Sequence, residues 1–462
     1  MMRWRWLAAF RAPCIALLLA ALGACGGGDS DNGGSTPANG TSAGSLSLGL
    51  AGGAPASYAH VWVTVSAVAL NTDANRPWSA SDATWLQLRL DAPKTIDLVA
   101  VTNGTIAPLL TGKNLSAASY AQMRLIVLRH DQPLADSAKA LALAANDQVD
   151  VVDAGGVVQH QPLEIADAAL AVRVGASLVV AAGVASDITL QWDIEHSLVR
   201  FAGNTGSERF SVRADLRAYD LAKTGAIVGI VDKSLFCASG AQNGCIDEVV
   251  ASAHLPSDDG RIKQSVRSTP VVVGDTYAVF ALYPLPPLAS GQTFDVVIRG
   301  RNMRTMVVRG VPASAADLLA ATPTQLGANP PDPAHPLPLA PVLSAQGDGH
   351  ATLAQPLAAG AAQLVFGQTL QGFAELPLEL VVANTDPNSG LLTRAVVLPS
   401  GPLRVADDSA TAPLVFTDMT PQEGADAFSV MSRGAFGDAV GATRVIVVPG
   451  GASVSFVAPE PP

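Results

Sequence analysis

The stretch Ala59-His60-Val61-Trp62-Val63-Thr64-Val65-Ser66 sets valines at 61, 63 and 65 against a second row at 60, 62, 64 and 66. Successive side chains leave a strand on opposite faces, so this alternation reads as a half-buried β-strand. The same period recurs in Tyr120–Val127 and in Asp187-Ile188-Thr189-Leu190-Gln191-Trp192, and Arg209–Leu216 closes the series. Asn103-Gly104 and Asp153-Ala154-Gly155-Gly156 supply turns between short strands. Residues 45–220 are therefore expected to form one β domain, with Ala138–Ala145 a short helix by propensity.

Working outward, residues 223–312 are expected to form a second, smaller sandwich. It opens on Gly225–Val231, continues through Asp275–Phe280, and ends in Phe294-Asp295-Val296-Val297-Ile298-Arg299-Gly300. Residues 313–341 read as a connection. Ser314-Ala315-Ala316-Asp317 has the character of a capping box ahead of a short helix, and Pro323–Pro341 holds seven prolines, too donor-poor for a packed element. Residues 342–462 then form a third β-rich domain, with strand candidates Leu376–Val382, Leu391–Leu398 and Thr443–Val448. The expected fold class is all-β, as tandem β-sandwich-like domains.

At the other end, Arg3, Arg5 and Arg11 precede an apolar run from Cys14 to Leu22, followed by Gly23-Ala24-Cys25. A basic segment, a short apolar core and small residues make a signal peptide over residues 1–24. The apolar run is shorter than the roughly 20 residues that span a bilayer. Leu22-Gly23-Ala24-Cys25 resembles the lipobox of bacterial lipoproteins, the alternative being an ordinary secretory signal with an incidental cysteine. The resemblance implies cleavage before Cys25, attachment of a diacylglyceryl group as a thioether, and acyl chains such as palmitate as the membrane anchor. Residues 25–44 are nearly all Gly, Ser, Asp, Asn, Thr and Ala and read as a flexible tether. Gly26, rather than Asp, after the cysteine implies the outer membrane, whether facing the periplasm or the surface.

The chain has 462 residues, 49% hydrophobic and 15% charged, which is ample for more than one core. Its formal charge of -11 becomes -14 once the three leader arginines are lost. An acidic chain argues against nucleic acid as a partner and against electrostatic attachment to anionic lipid. Outside the leader region only Cys237 and Cys245 remain, around a short Gly-Asn loop. In an exported protein the economical reading is a disulfide; a metal site would need a further Cys or His pair with ligand spacing nearby.

Two family resemblances follow. Lys94-Thr95-Ile96-Asp97-Leu98, Thr102-Asn103-Gly104 and Leu115-Ser116-Ala117-Ala118-Ser119-Tyr120-Ala121-Gln122-Met123-Arg124-Leu125 resemble the signature of domain-of-unknown-function family 4382 over about residues 44–218. Leu190-Gln191-Trp192-Asp193 with Ser197 is similar to its second characteristic stretch, and Ser119 stands where the family usually has glycine. The resemblance implies a β-sandwich in an exported lipoprotein and no activity. Gly225-Ala226-Ile227, Asp275–Phe280, Leu285-Pro286 and Phe294–Ile298 resemble the carboxypeptidase-regulatory, transthyretin-like fold, which implies a spacer or adhesion module.

No catalytic constellation emerges. Gly40-Thr41-Ser42-Ala43-Gly44 spells G-x-S-x-G inside the tether, without the strand-turn-helix context a nucleophile needs. The seven histidines, at 60, 130, 160, 196, 254, 335 and 350, never fall in metal-ligand spacing. Asp193-Ile194-Glu195-His196-Ser197, read as a strand, puts Asp193, Glu195 and Ser197 on one face and His196 on the other, a solvated strand end or a weak acidic site. Asn384–Gly390 alternates oxygen ligands but lacks a bidentate acid downstream, and reads as a turn. Asp259-Gly260 is a hairpin signal. Trp62 and Trp85 lie in strand patterns and read as core, which leaves Trp78, in a polar loop, as the candidate ligand contact. The expectation is a non-catalytic, lipid-anchored envelope protein with no cofactor, its membrane attachment through Cys25, and an unknown protein or glycan partner. The rivals are a carbohydrate- or small-ligand-binding module using Trp78 and, less favoured, a hydrolase using the acids near Asp193.

Overall fold

A computed structural model of the chain describes residues 42–454 except 54–57, 153–156, 203–207, 214, 238–244, 314–323, 327–335, 342–348, 354–360, 373–374, 386–395, 399–400, 409–413, 426, 435–438 and 447–452. The leader with Cys25, most of the tether, the helix expected after Ser314 and the Asp386–Gly390 turn lie outside the described residues. These residues are nearly all β, as expected, and none of their helices is long and apolar enough to cross a membrane.

The strand that opened the sequence reading runs over Tyr58–Asn71. Val61, Val63 and Val65 are fully buried, whereas His60 is exposed and Trp62 half-buried. At Ser66 both neighbouring ladders shift register, and beyond that bulge Ala67–Leu70 is buried on both faces. This strand organises the first sheet. It pairs with Leu86–Asp97 along one edge and with Gln148–Val152 and then Gln122–Val127 along the other. Beyond Gln122–Val127 the sheet continues through Val172–Val174, Leu216–Asp220, Ala185–Trp192 and Ala43–Ala51 to Ala107–Ser116. One apolar cluster, with Leu46, Leu50, Val63, Leu125, Trp192 and Phe210 among its members, fills this domain.

Three local expectations are corrected. Tyr120–Val127 bends at Ala121, giving strands Ala118–Tyr120 and Gln122–Val127 in different sheets. Arg209–Leu216 is not one strand: Glu208–Val212 pairs with Leu198–Ala202, and Leu216–Asp220 pairs with Ala185–Trp192. The helix is shorter, Asp136–Ala140, and Ala142 follows it with a positive φ of 56°.

The later residues depart further from the expectation of separate second and third domains. Val272–Val273, Ala278–Leu285, Gly225–Val231 and Thr324–Leu326 form a four-stranded sheet. Opposite it, Asp247–Pro256, Lys263–Pro270, Phe294–Arg301 and Met306–Val311 lie in a ten-stranded sheet. The same sheet takes in Leu403–Asp407 beside Met306–Val311, and Leu378–Asn384 beside Lys263–Pro270. The reason is the two-faced apolarity of its central strands. Val296, Ile298 and Val308 enter one core with Ile227, Phe280 and Leu282. Val297 and Val307 enter another with Leu364, Phe366, Leu380 and Phe428. Strands apolar on both sides need covering on both sides, and the segment after residue 360 supplies the second cover.

The proline-rich stretch is likewise not a free connection where it is described. Thr324–Leu326 pairs parallel with Gly225–Val231, and Leu337 and Leu339 are buried in the second core between prolines. From Ser42 on, the described residues cluster as a single compact unit. Ion pairs stitch the shared sheet: Lys263 meets Asp295 at 2.6 Å and Glu375 at 2.8 Å, and Arg309 meets Glu375 and, at 2.8 Å, Asp407.

Cys237 and Cys245 are joined in a disulfide, eight residues apart. A ring that short restricts the unfolded chain by roughly 2–3 kcal/mol on the loop-entropy model. The double substitution Cys237→Ala/Cys245→Ala should therefore lower the urea midpoint by that much stability; an unchanged midpoint would show that the bond does not constrain the unfolded chain.

Candidate functional site

Asp193-Ile194-Glu195-His196-Ser197 does not continue the preceding strand. Asp193 caps a single helical turn, Ile194–Ser197, its carboxylate accepting the His196 amide at 3.2 Å. A short acidic side chain ahead of a turn does this readily, and the alternating-face expectation for these residues is thereby overturned. The turn swings the His196 ring back onto its own cap. Nδ1 lies 2.8 and 2.7 Å from the two Asp193 oxygens. Nε2 lies 2.8 Å from Oε1 of Glu379, which is 183 residues further on and in the ten-stranded sheet.

His196 and Glu379 are both buried, and Asp193 nearly so. Burial alone would depress the His196 pKa, but the Asp193 and Glu379 carboxylates overcome it and put the ring well above its ordinary value. Burial would raise the two carboxyls, yet the imidazolium outweighs it and holds both below their ordinary values. The site is thus a cation between two anions, with both ring nitrogens donating. Such a ring has no lone pair left to accept a proton or to ligate a metal. Beside it, burial raises Glu195 despite the Arg299 guanidinium at 3.4 Å. His254, on the adjacent strand, is held below its ordinary pKa by burial, its Nε2 2.8 Å from the Ser252 hydroxyl.

The clasp is the centre of a polar junction between the first domain and the later sheets. Gln191 donates to the Val266 carbonyl at 2.6 Å, and Gln363 to the Leu198 carbonyl at 2.9 Å. Arg267, 1% exposed, donates to the carbonyls of Gly52 and Val101. Burial pulls its pKa down to about 10. Gly52 must be glycine, because a Cβ there would sit 1.9 Å from the Leu98 carbonyl oxygen. The expected Asn103-Gly104 turn is present, with φ of 51° and 78°. It is also a docking knob. Asn103 receives the Ala281 amide at 3.0 Å and donates to Thr269 Oγ1 and the Pro270 carbonyl, each at 2.9 Å.

The other candidates fall elsewhere. Trp78 is half-buried, packed edge-on against Trp85 with ring centroids 5.0 Å apart, so it is not a free-standing platform. Trp85 is buried, with Arg124 over its ring at 5.4 Å. Trp62, expected in the core, is half-buried and stacks on His60 at 5.2 Å. Among the described residues no group of three or more His, Cys, Asp or Glu side chains is placed to hold a metal. Sequence reading missed Glu379 and Arg267. Glu379 is a lone charge inside an apolar strand, and a buried charge demands a partner, a signal that names the residue but not the partner. Arg267 sits in a strand that also holds Lys263, Gln264, Ser265, Ser268 and Thr269, where its burial has no local signal.

Comparison with known proteins adds one match at the level of family. Residues 43–213 match the family model described as a domain of unknown function (DUF4382). That stretch holds the first domain's core together with the first-domain half of the clasp, Asp193, Glu195 and His196. No curated protein matches the chain. A solved leucine-rich repeat protein from Bacteroides thetaiotaomicron VPI-5482 is 10% identical over 59% of this chain, with a TM-score of 0.13. The chain spans 23% of that protein's length, and a score so low carries no conclusion about fold.

Removing the ring should leave buried carboxylates unpaired, so His196→Ala is expected to cost about 3–5 kcal/mol in urea unfolding. The pH dependence follows from the directions of the shifts. The raised His196 contributes stability in full below its ordinary value of 6.5 and loses it as pH rises through the folded value. The lowered Asp193 and Glu379 contribute in full above 3.8 and 4.5 and lose it as pH falls through their folded values. The stability difference between wild type and His196→Asn should therefore be greatest between about pH 4.5 and 6.5 and shrink in alkali. A difference independent of pH would exclude a charged His196.

Asp147 tests the opposite sign. It is wholly buried, and burial raises its pKa well above the ordinary value, with only the Thr64 amide opposing. A raised carboxyl penalises the fold increasingly as pH climbs past 3.8. Asp147→Asn should gain thermal stability relative to wild type between pH 4 and 8; a constant offset would contradict it.

Proposed function

We propose that this chain is an exported lipoprotein whose acylated Cys25 holds a rigid all-β body at the cell envelope, where it serves a non-catalytic binding, adhesion or structural role. The observation that carries this reading is Leu22-Gly23-Ala24-Cys25, placed directly after a basic and apolar leader and directly before a Gly/Ser-rich tether. Gly26 favours the outer membrane. A single acyl chain binds a bilayer only marginally, and the several chains of a lipoprotein anchor it stably.

Two further observations support the non-catalytic part. His196, Asp193 and Glu379 are turned inward at the junction and bond one another, and Glu195 beside them pairs with Arg299. The resemblance of residues 223–312 to carboxypeptidase-regulatory modules fits a spacer or adhesion element. The partner in this reading is a protein or glycan of the envelope, and nucleic acid is disfavoured by the acidic surface.

Metabolic labelling with an alkyne fatty acid, followed by membrane fractionation, tests the reading. Wild type should carry label and sediment with membranes, and Cys25→Ala should lose both. Undiminished labelling of the variant would overturn the lipoprotein assignment.

A further inference from the structure

The strand Ala43–Ala51 ties two very different ends of the first domain together. At its far end Gly52 meets Arg267 at the junction. Its near end, Ala43, lies about 30 Å away along the strand axis, and from there the chain leads back to Cys25. That near end is wrapped by residues 178–185. Gly183 donates its amide to the Ala43 carbonyl at 2.8 Å, and Ser45 donates to the Val184 carbonyl at 3.0 Å. Gly44 makes the approach possible, since a Cβ there would lie 2.3 Å from the Ala181 oxygen. The last glycine of G-x-S-x-G is thus explained by packing.

What this end presents is apolar. Val179 is 66% exposed and Val184 49%, and Ala181, Ala182, Gly183 and Ala185 between and beside them are exposed too. From Val174 to Ser186 there is no charged residue, although the mature chain is strongly acidic. The neighbouring strand Ala118–Tyr120, paired to Leu178–Val180 with Ser119 opposite Val179, is uncharged as well. Leu178 and Val180, on the inner face, are buried in the core, so the outward valines are not needed to complete it.

We propose that the 179–185 loop rests on the lipid bilayer, making the tether end of the first domain a membrane-contact face. The proposal rests on the reading of Cys25 as acylated. Sixteen residues separate Cys25 from Ser42, and even fully extended that connection reaches only about 60 Å. The loop is therefore confined near the surface to which the anchor is fixed, and confinement at high effective concentration lets a weakly apolar surface stay engaged. An uncharged face also meets no repulsion from anionic lipid, unlike the rest of an acidic body. This orientation points the junction and the later sheets away from the membrane.

The test uses the full-length acylated protein in vesicles of phosphatidylethanolamine and phosphatidylglycerol containing spin-labelled lipid. Because Cys237 and Cys245 are bonded, a cysteine introduced as V179C or V272C takes an environment-sensitive dye at one place. Val272 is exposed and apolar too, but two residues from Pro270, which contacts the junction. The dye at V179C should be quenched several-fold more than at V272C. With the dye at S119C instead, adding V179D/V184D should abolish the quenching while the thermal midpoint stays unchanged. Equal quenching at both positions, or none at V179C with Cys25 acylated and the protein vesicle-bound, would overturn the proposal. Absence of acyl mass on Cys25 would instead overturn the lipoprotein reading itself, and the contact with it.

Discussion

His196 carries a positive charge into a place that water does not reach, and that charge is tolerable only while both its nitrogens face carboxylates. One carboxylate, Asp193, comes from the histidine's own turn; the other, Glu379, comes from a strand 183 residues later. Removing one partner while the others stay buried would leave a charge uncompensated, which is far more costly than losing a surface ion pair. The relative placement of the first domain and the ten-stranded sheet is therefore held by a requirement, and Gln191, Gln363, Asn103 and Arg267 are arranged around it. Replacing such a cluster with apolar side chains could give as much stability. What the charged version adds is geometry, because only one docking satisfies both ring nitrogens.

That constraint changes the picture of the molecule. A string of domains on a tether would flex at each connection. Here the described connections are built into the sheets: Leu337 and Leu339 fill a core between prolines, and Val296 and Val297 serve two different cores from adjacent positions. The described residues from Ser42 on are one piece.

The legibility of this architecture in the sequence differs from element to element. The first half of Tyr58–Asn71 is readable because Val61, Val63 and Val65 are buried and alternate with His60, which is exposed, and with Trp62 and Ser66, which are half-buried. Phe294–Arg301 was readable as a strand, but its continuous apolar run concealed that both faces are covered. Proline density suggested a free connection near Leu337, since composition reports missing donors and not what the intervening leucines touch. At the site, Asp193 and His196 stand together in the sequence, but a period of two does not apply there, because Asp193 caps a helical turn. Glu379 was visible as an odd charge in an apolar strand. Its partnership with His196 is a property of tertiary docking and has no local signature.

The coupling of His196 to Glu379 across the junction joins the first domain to the ten-stranded sheet. A double-mutant cycle with His196→Asn, Glu379→Gln and the pair, measured by urea unfolding near pH 6, reads that coupling directly. The expected interaction energy is about 1–3 kcal/mol, within the range that contacting residues show. Additive effects, with a coupling indistinguishable from zero, would mean that the clasp does not hold the two parts together.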